Sequence, residues 1–218
     1  MEFRCVCRKG PTMLRLTFLL LGFIVALTVK GANLSTARYQ GCCPRSAPAV
    51  ASNAEPMSSV GVDDIRKEFN ASSQRVRIVA LLSPMCGGCQ SGHATIAKVL
   101  GKFSSPKLRA ILVWEPMIEG DSAEAASQQA ATLQDTRIVQ GWNENRSLGT
   151  LFGETLDLHA VAWDVYLVYK PGIRWEGERP PQPTFWIHQL NGADPKLLLC
   201  QNPTRLSTEV GKLLEQAH

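Results

Sequence analysis

The sequence has no long basic stripe and no recognisable nucleic-acid-binding module in its 218 residues. Its net charge is only +4, and much of the basic excess lies near the N-terminus, at Arg4, Arg8, Lys9 and Arg15. Domains that bind nucleic acids concentrate Lys and Arg on one face or along one helix. We therefore expect no nucleic-acid partner.

The cysteines are too few and too unevenly placed for a small disulfide-stapled scaffold. There are seven of them, an odd number, in a chain that is not short. Apolar residues make up 44% of the chain and charged residues 19%, which is an ordinary globular composition with one good-sized core. Three cysteines fall inside the expected folded body, namely Cys86, Cys89 and Cys200.

An uncharged apolar run at residues 16–29 follows several basic residues. A charged stretch followed by an apolar one is typical of an export signal. The run is shorter than the roughly 20 residues of a free-standing membrane helix. Lys30 follows at once and no small-x-small cleavage site is present, so an uncleaved anchor is slightly favoured over a cleaved signal peptide. The basic flank places the rest of the chain outside the cytoplasm, in a periplasm or an equivalent space.

The chain divides into three parts on this basis. Residues 1–31 are predicted to be the signal peptide or membrane anchor. Residues 32–61 are rich in Ser, Ala, Pro and Gly, which predicts a flexible tether. Residues 62–218 are predicted to form one folded domain.

Strand and helix patterns alternate through that domain. Continuous apolar, β-branched runs predict buried strands, and apolar residues at helical spacing predict helices. This alternation, with two late strands and a last helix, predicts an α/β sandwich with a central mixed β-sheet. The predicted strands cover residues 76–83, 108–114, 137–142, 163–169 and 184–190. The predicted helices cover residues 63–69, 86–103, 122–133, 147–156 and 206–216.

A CxxC motif, Cys86-Gly87-Gly88-Cys89, stands between the first strand and the second helix. A helix N-terminus has unpaired N–H groups and a positive dipole end, and both stabilise a thiolate, which is the nucleophile. Cys86 is expected to attack a substrate disulfide and Cys89 to resolve the mixed disulfide. The two glycines leave the first turn open to a protein substrate. Such exchange needs no cofactor.

Metal binding is the alternative function for the same residues. His93 lies four residues after Cys89 and therefore on the same helical face. Cys86, Cys89 and His93 could bind or transfer a soft metal such as copper or mercury, supplied by the vicinal pair Cys42-Cys43. A structural disulfide between Cys86 and Cys89 is a further alternative. Otherwise His93 is expected to be a partly exposed helix residue.

Residues 76–100, VRIVALLSPMCGGCQSGHATIAKVL, resemble the strand–CxxC–helix unit of the thioredoxin superfamily, and are close to its TlpA-like exported branch. The resemblance covers most of the folded domain. It implies a thioredoxin-like three-layer sandwich and a thiol-disulfide oxidoreductase acting on protein thiols and disulfides. It also implies a separate dithiol electron donor, and it assigns attack to Cys86 and resolution to Cys89.

Two residues near the dithiol depart from that family. Met85 stands where the family usually has a tryptophan, and Ala80 stands where many members carry a buried acid. Proton transfer to the resolving thiol must then use water or another group. Glu115 and Asp121 could line the cleft, but both are expected to be solvated loop acids.

The family's cis-proline, which guides the substrate backbone, has two candidate positions. Pro183 would take it if residues 184–190 formed the strand beside the dithiol. If residues 163–169 formed the strand beside the dithiol, Ala162 and Trp163 would occupy the cis-proline position, and no proline would be present there. The second placement is favoured, because the turn at residues 171–172 predicts that the two strands form a hairpin. Met85, Ala162, Trp163 and Pro183 are thus the candidate substrate-binding residues.

Overall fold

The computed structural model of the protein describes residues 54–190 and 193–217. The predicted leader, most of the predicted tether and the Cys42-Cys43 pair lie outside the described residues. Among the described residues, no helix has the length and apolar character needed to span a membrane.

A mixed sheet of five strands forms the centre of the domain, in the order β3-β2-β1-β4-β5. β1, β2 and β3 are parallel, whereas β4 is antiparallel to β1 and β5 is antiparallel to β4. The predicted mixed sheet and the predicted hairpin of the last two strands are confirmed. The strands are β1 (Val76–Leu82), β2 (Leu108–Trp114), β3 (Ile138–Trp142), β4 (Val165–Tyr169) and β5 (Phe185–His188).

Five α-helices accompany the sheet in the described part of the chain, each close to its predicted position. A short 3-10 helix, Pro195–Leu197, precedes the last of them. The helices are α1 (Val62–Ala71), α2 (Gly87–Lys102), α3 (Ala123–Ala131), α4 (Ser147–Thr155) and α5 (Arg205–Gln216).

Helices cover both faces of the sheet. Tyr166 and Tyr169 are three residues apart on β4, so their side chains point to opposite faces. The Tyr166 hydroxyl lies against Gly92 of α2. The Tyr169 ring meets Phe69 of α1 edge-on, with 4.8 Å between the ring centroids. The central strands are therefore buried on both sides, which explains their continuous apolar sequences.

The outer edge of β3 is covered by residues that precede α1. The Val60 N–H donates to the Trp142 carbonyl at 2.8 Å, and the Trp142 N–H donates to the Ser58 carbonyl at 3.0 Å. Val60 packs directly over Gly141, where any Cβ would overlap it. The last residues of the predicted tether thus belong to the folded body and protect a sheet edge.

Candidate functional site

Cys86 is the N-cap residue of α2, directly after the loop that follows β1. Its Sγ accepts a hydrogen bond from the Cys89 N–H at 3.3 Å. Cys86 and Cys89 are both in the thiol form, whereas Cys200 is disulfide-bonded. Cys86 exposes 4% of its surface and Cys89 exposes none. A substrate can therefore reach the pair only through Cys86.

The carboxylate of Asp164, just before β4, lies beside both sulfurs. The Cys86 thiol donates to Asp164 Oδ2 at 4.0 Å. The two Sγ atoms and an Asp164 carboxylate oxygen all lie within 4.8 Å of one another. Asp164 is fully buried, and its φ of 54° is in the left-handed region that Asp tolerates better than most residues. Sequence reasoning missed this residue.

Two side chains hold that carboxylate in place. The Tyr166 hydroxyl donates to Asp164 Oδ1 at 2.6 Å, and Gln189 Nε2 donates to the same oxygen at 3.2 Å. Gln189 Nε2 also donates to the Gly88 carbonyl at 2.6 Å, and the Gln189 N–H donates to the Asp164 carbonyl at 3.0 Å. Gln189 therefore ties the end of β5 to both Asp164 and the first turn of α2.

This cluster retains protons strongly. Burial raises the pKa of the Cys89 thiol well above its usual value, and the hydrogen bond with Cys86 and the charge of Asp164 raise it further. Burial likewise raises the pKa of the Tyr166 hydroxyl, again with a contribution from Asp164. Cys89 and Tyr166 are therefore protonated near neutral pH, and Cys89 needs a base before it can act as a nucleophile.

Asp121 organises the loop that leads into the dithiol. Its carboxylate accepts from the Ser83 hydroxyl at 2.8 Å, from the Met85 N–H at 2.9 Å, and from the N–H groups of Met117 and Ile118 at 2.8 Å. Burial raises the pKa of Asp121, and these hydrogen bonds act in the opposite direction. The expectation of a solvated acid was wrong, because its oxygens connect the loop before α2 to the loop after β2.

Glu115, directly after β2, is also buried rather than solvated. Its Oε1 accepts from the Gly149 N–H at 2.8 Å, whereas its Oε2 is buried with no hydrogen-bond partner in the described part of the chain. A Cβ at Gly149 would meet Glu115, Val161 and the Ala162 carbonyl together, so Glu115 lies under the segment that leads to Trp163. Burial raises the pKa of Glu115 to about 8.

The segment before β4 lies beside the dithiol, because Asp164 at its end contacts Cys86. Leu81 at the end of β1 pairs with Val165 at the start of β4. Ala162 is buried and donates its N–H to the Gly149 carbonyl at 2.8 Å, while Trp163 exposes 7% of its surface. The described residues contain no cis peptide bond.

Pro183 lies away from this site. It precedes β5, where Phe185 pairs with Val168, and Val168 in turn pairs with Ile78 near the start of β1. The dithiol follows the other end of β1. The structure therefore does not bring Pro183 to Cys86.

His93 also does not join the two cysteines. It is buried rather than partly exposed, and its ring meets Trp114 edge-on at 5.3 Å between centroids. Burial lowers the pKa of His93 to about 4, so the ring is neutral. In the described residues, the donor group that completes a cluster with Cys86 and Cys89 is the Asp164 carboxylate. The predicted set of Cys86, Cys89 and His93 is not assembled.

Several solved structures are similar to this chain at low sequence identity. A thioredoxin-like protein in its oxidised form, determined in solution, aligns with a TM-score of 0.47 and 14% identity over 82% of this chain and 100% of its own. A secreted disulfide oxidoreductase of Mycobacterium tuberculosis, homologous to E. coli DsbE, aligns with a TM-score of 0.40 and 12% identity. The alignment covers 66% of this chain and 85% of the other. The thioredoxin domain of a thiol-disulfide oxidoreductase from Bacteroides vulgatus aligns with a TM-score of 0.35 and 12% identity. The alignment covers 64% of this chain and 90% of the other.

No family model and no curated protein sequence matches the chain. At these identities and TM-scores the likeness to solved structures assigns no family and no role to this chain. The mixed sheet and the dithiol at the start of α2 are what the resemblance to the thioredoxin superfamily implies, and membership of that superfamily stays a prediction. The TlpA-like branch stays a prediction.

Proposed function

We propose that the protein is a thiol-disulfide oxidoreductase that acts outside the cytoplasm and reduces protein disulfides. The observation that carries the proposal is the position of Cys86 at the first turn of α2, with Cys89 buried behind it. The Asp164 carboxylate lies 4.0 Å from the Cys86 sulfur. Two thiols and a proton-accepting group within reach of one another are what dithiol exchange requires.

The reaction proceeds in two exchanges. The Cys86 thiolate attacks one sulfur of the substrate disulfide, forms a mixed disulfide and releases the first substrate thiol. Cys89 then attacks Cys86 Sγ and releases the second substrate thiol. The dithiol ends as a Cys86–Cys89 disulfide, and a separate dithiol donor returns its two electrons. No cofactor takes part in these steps.

Reduction is the favoured direction because neither residue between the cysteines adds a cation and a carboxylate beside Cys86 opposes its thiolate form. Gly87 and Gly88 provide no cation, and Asp164 places a carboxylate next to the sulfur. Strong oxidants owe their potential to a stabilised reduced form. We therefore expect a potential closer to the value of about −270 mV typical of thioredoxin than to the value of about −120 mV typical of strong oxidants.

Protein substrates would meet an apolar rim around Cys86. Met85 and Ile118 lie together, since both donate backbone N–H groups to Asp121, and Ile118 exposes 40% of its surface. Trp163 flanks the dithiol on the β4 side. We assign substrate contact to Met85, Trp163 and Ile118, and none to Pro183 or to Ala162, which has no exposed surface.

The extracytoplasmic location rests on the sequence of residues 1–31. The apolar run at 16–29 and its basic flank support either a cleaved signal peptide or a membrane anchor. Fractionation of cells producing the full chain tests this part. Recovery of the folded protein in the cytoplasm would contradict it.

The alternative function, soft-metal binding, required His93 as a ligand beside the two cysteines. The His93 ring instead packs against Trp114. Metal analysis of protein purified in the reduced state, with and without His93→Ala, separates the two functions. Stoichiometric copper or mercury that depends on His93 would favour the alternative.

Trapping of the mixed disulfide tests the oxidoreductase directly. Cys89→Ser should accumulate a covalent complex with a disulfide-bonded protein substrate, because the second exchange cannot occur. Cys86→Ser should form no such complex and should not reduce the substrate. Full disulfide reduction by Cys86→Ser would contradict the proposal.

A further inference from the structure

We propose that Asp164 is a catalytic residue that carries the protons of both cysteines during exchange. This inference rests on the oxidoreductase function proposed above. Its basis is geometric: the carboxylate accepts from the Cys86 thiol at 4.0 Å and lies within 4.8 Å of both sulfurs.

Burial creates the need for such a group. Cys89 has no exposed surface, so bulk water does not reach its thiol in the reduced protein. A buried thiol in an apolar setting resists ionisation. In the part of the chain that the structure describes, the Asp164 carboxylate is a base within 4.8 Å of the Cys89 sulfur.

The proton steps balance over one cycle. Asp164 takes the Cys86 proton as the Cys86 sulfur attacks the substrate disulfide, and it passes that proton to the first substrate thiolate that leaves. The restored carboxylate then takes the Cys89 proton as Cys89 attacks Cys86 Sγ. The second substrate thiolate leaves and takes this proton. Two electrons pass from the dithiol to the substrate, and Asp164 ends as a carboxylate.

The surroundings of Asp164 suit a group that gains and loses a proton without moving. Among the described residues, the titratable groups that face it include Cys86 and Cys89 from the start of α2 and Tyr166 from β4. β5 contributes the neutral amide of Gln189. Tyr166 and Gln189 both donate to Oδ1, which leaves Oδ2 directed at Cys86.

Asp164→Asn is the appropriate test variant. Asn tolerates the left-handed backbone conformation at this position and keeps the side-chain size, but it cannot accept a thiol proton as a base. Asp157→Asn is the matched control, because Asp157 also has a φ of 54° and is exposed. Circular dichroism and thermal unfolding establish that each variant is folded.

The readout is the pH profile of two separate rates: formation of the mixed disulfide with a small aromatic disulfide, and its resolution by Cys89. For Asp164→Asn, we expect resolution at neutral pH to fall on the order of 100-fold or more, the usual contribution of a positioned base. The rate should recover only at high pH, where the Cys89 thiol ionises without a neighbouring base. Asp157→Asn should keep the profile of the unmodified protein.

A folded Asp164→Asn protein with an unchanged pH profile for resolution would overturn this inference. If it does not fold, Tyr166→Phe takes its place. Loss of the hydroxyl donor disfavours the charged carboxylate, so the profile should move toward higher pH, and an unmoved profile would overturn the inference. Failure of the unmodified protein to form any mixed disulfide would instead contradict the proposed function.

Discussion

The Tyr166 hydroxyl lies directly against Gly92, at the place where the Cβ of any other residue would be. This close approach leaves room for the Tyr166 hydroxyl between α2 and β4, where it donates to Asp164 Oδ1 at 2.6 Å. Gly92 is one turn beyond Cys89, so the same contact sets the distance between α2 and the sheet beneath the dithiol. A glycine in a helix interior usually lowers stability, and here a packing requirement explains it.

Gly92→Ala should therefore destabilise the protein and displace Tyr166. Overpacking of this kind costs about 1–3 kcal/mol. Gly101→Ala is the control on the same helix, because nothing lies within 4 Å of its added Cβ. It should instead raise stability by up to about 1 kcal/mol. Chemical denaturation measures both, and equal effects of the two substitutions would contradict the described packing.

Glu115 should make the folded state less stable as pH rises. Its pKa is raised from 4.5 to about 8 by burial, so between those values the unfolded chain releases this proton and the folded chain keeps it. The free energy of unfolding then falls across that window, by an amount on the order of several kcal/mol. Below pH 4.5, the contribution of Glu115 to the free energy of unfolding is fully present.

Glu115→Gln should remove this part of the pH dependence. The amide oxygen can still accept from the Gly149 N–H, and no proton is released. Urea denaturation of both proteins from acidic to mildly alkaline pH measures the effect. Identical pH dependence in the two proteins would show that Glu115 is not a buried protonated acid.

Asp121→Ala should destabilise the loop before Cys86. The substitution removes an acceptor of four hydrogen bonds, including one from the Ser83 hydroxyl and one from the Met85 N–H. We expect a loss of roughly 2–4 kcal/mol, since bonds to charged acceptors are among the stronger ones. Hydrogen exchange of the Met85 amide should accelerate. Unchanged exchange would mean that Asp121 does not fix this loop.

Arg77 should be a large contributor to stability at the end of the sheet opposite the dithiol. It is fully buried and its guanidinium donates to four backbone carbonyls, including those of Lys170 and Ile173, each at 2.8 Å. Burial lowers the pKa of Arg77 to about 10, which still leaves it charged at neutral pH.

Arg77→Ala removes the donor of all four hydrogen bonds from a buried position, and we expect a loss of about 3–5 kcal/mol. Arg75→Ala, two residues earlier and exposed, should change stability by no more than about 0.5 kcal/mol. Thermal unfolding of the two variants makes the comparison. Similar melting temperatures for both would contradict the role of Arg77.

The order of elements could be predicted because each carries its own local pattern. β2 has the predicted bounds of 108–114, and the turn at residues 171–172 correctly predicted the hairpin of β4 and β5. The placement of Cys86 at the start of α2 also followed from local signals. A buried strand ends at a proline, and a helical pattern follows the two glycines.

The partners of the dithiol could not be predicted in this way, because neighbouring strands supply them. Ala80 pairs directly with Tyr166, and side chains of paired residues lie on the same face. Ala80 stands where a buried acid was expected from the resemblance. Asp164, two residues before Tyr166 and on the same face, provides an acid there instead. A charge at the start of a buried strand was the available signal, since such a charge needs hydrogen-bond partners. The burial of His93 and Glu115 depends on packing that no local pattern encodes.

The redox equilibrium of the Cys86–Cys89 pair with glutathione is the most direct test of the whole account. The peptide containing both residues is alkylated and mapped across a series of glutathione potentials. We predict one two-electron transition at a potential near the thioredoxin value of about −270 mV, which Cys86→Ser and Cys89→Ser both abolish. Absence of a transition, or a strongly oxidising one near about −120 mV, would contradict a dithiol reductase.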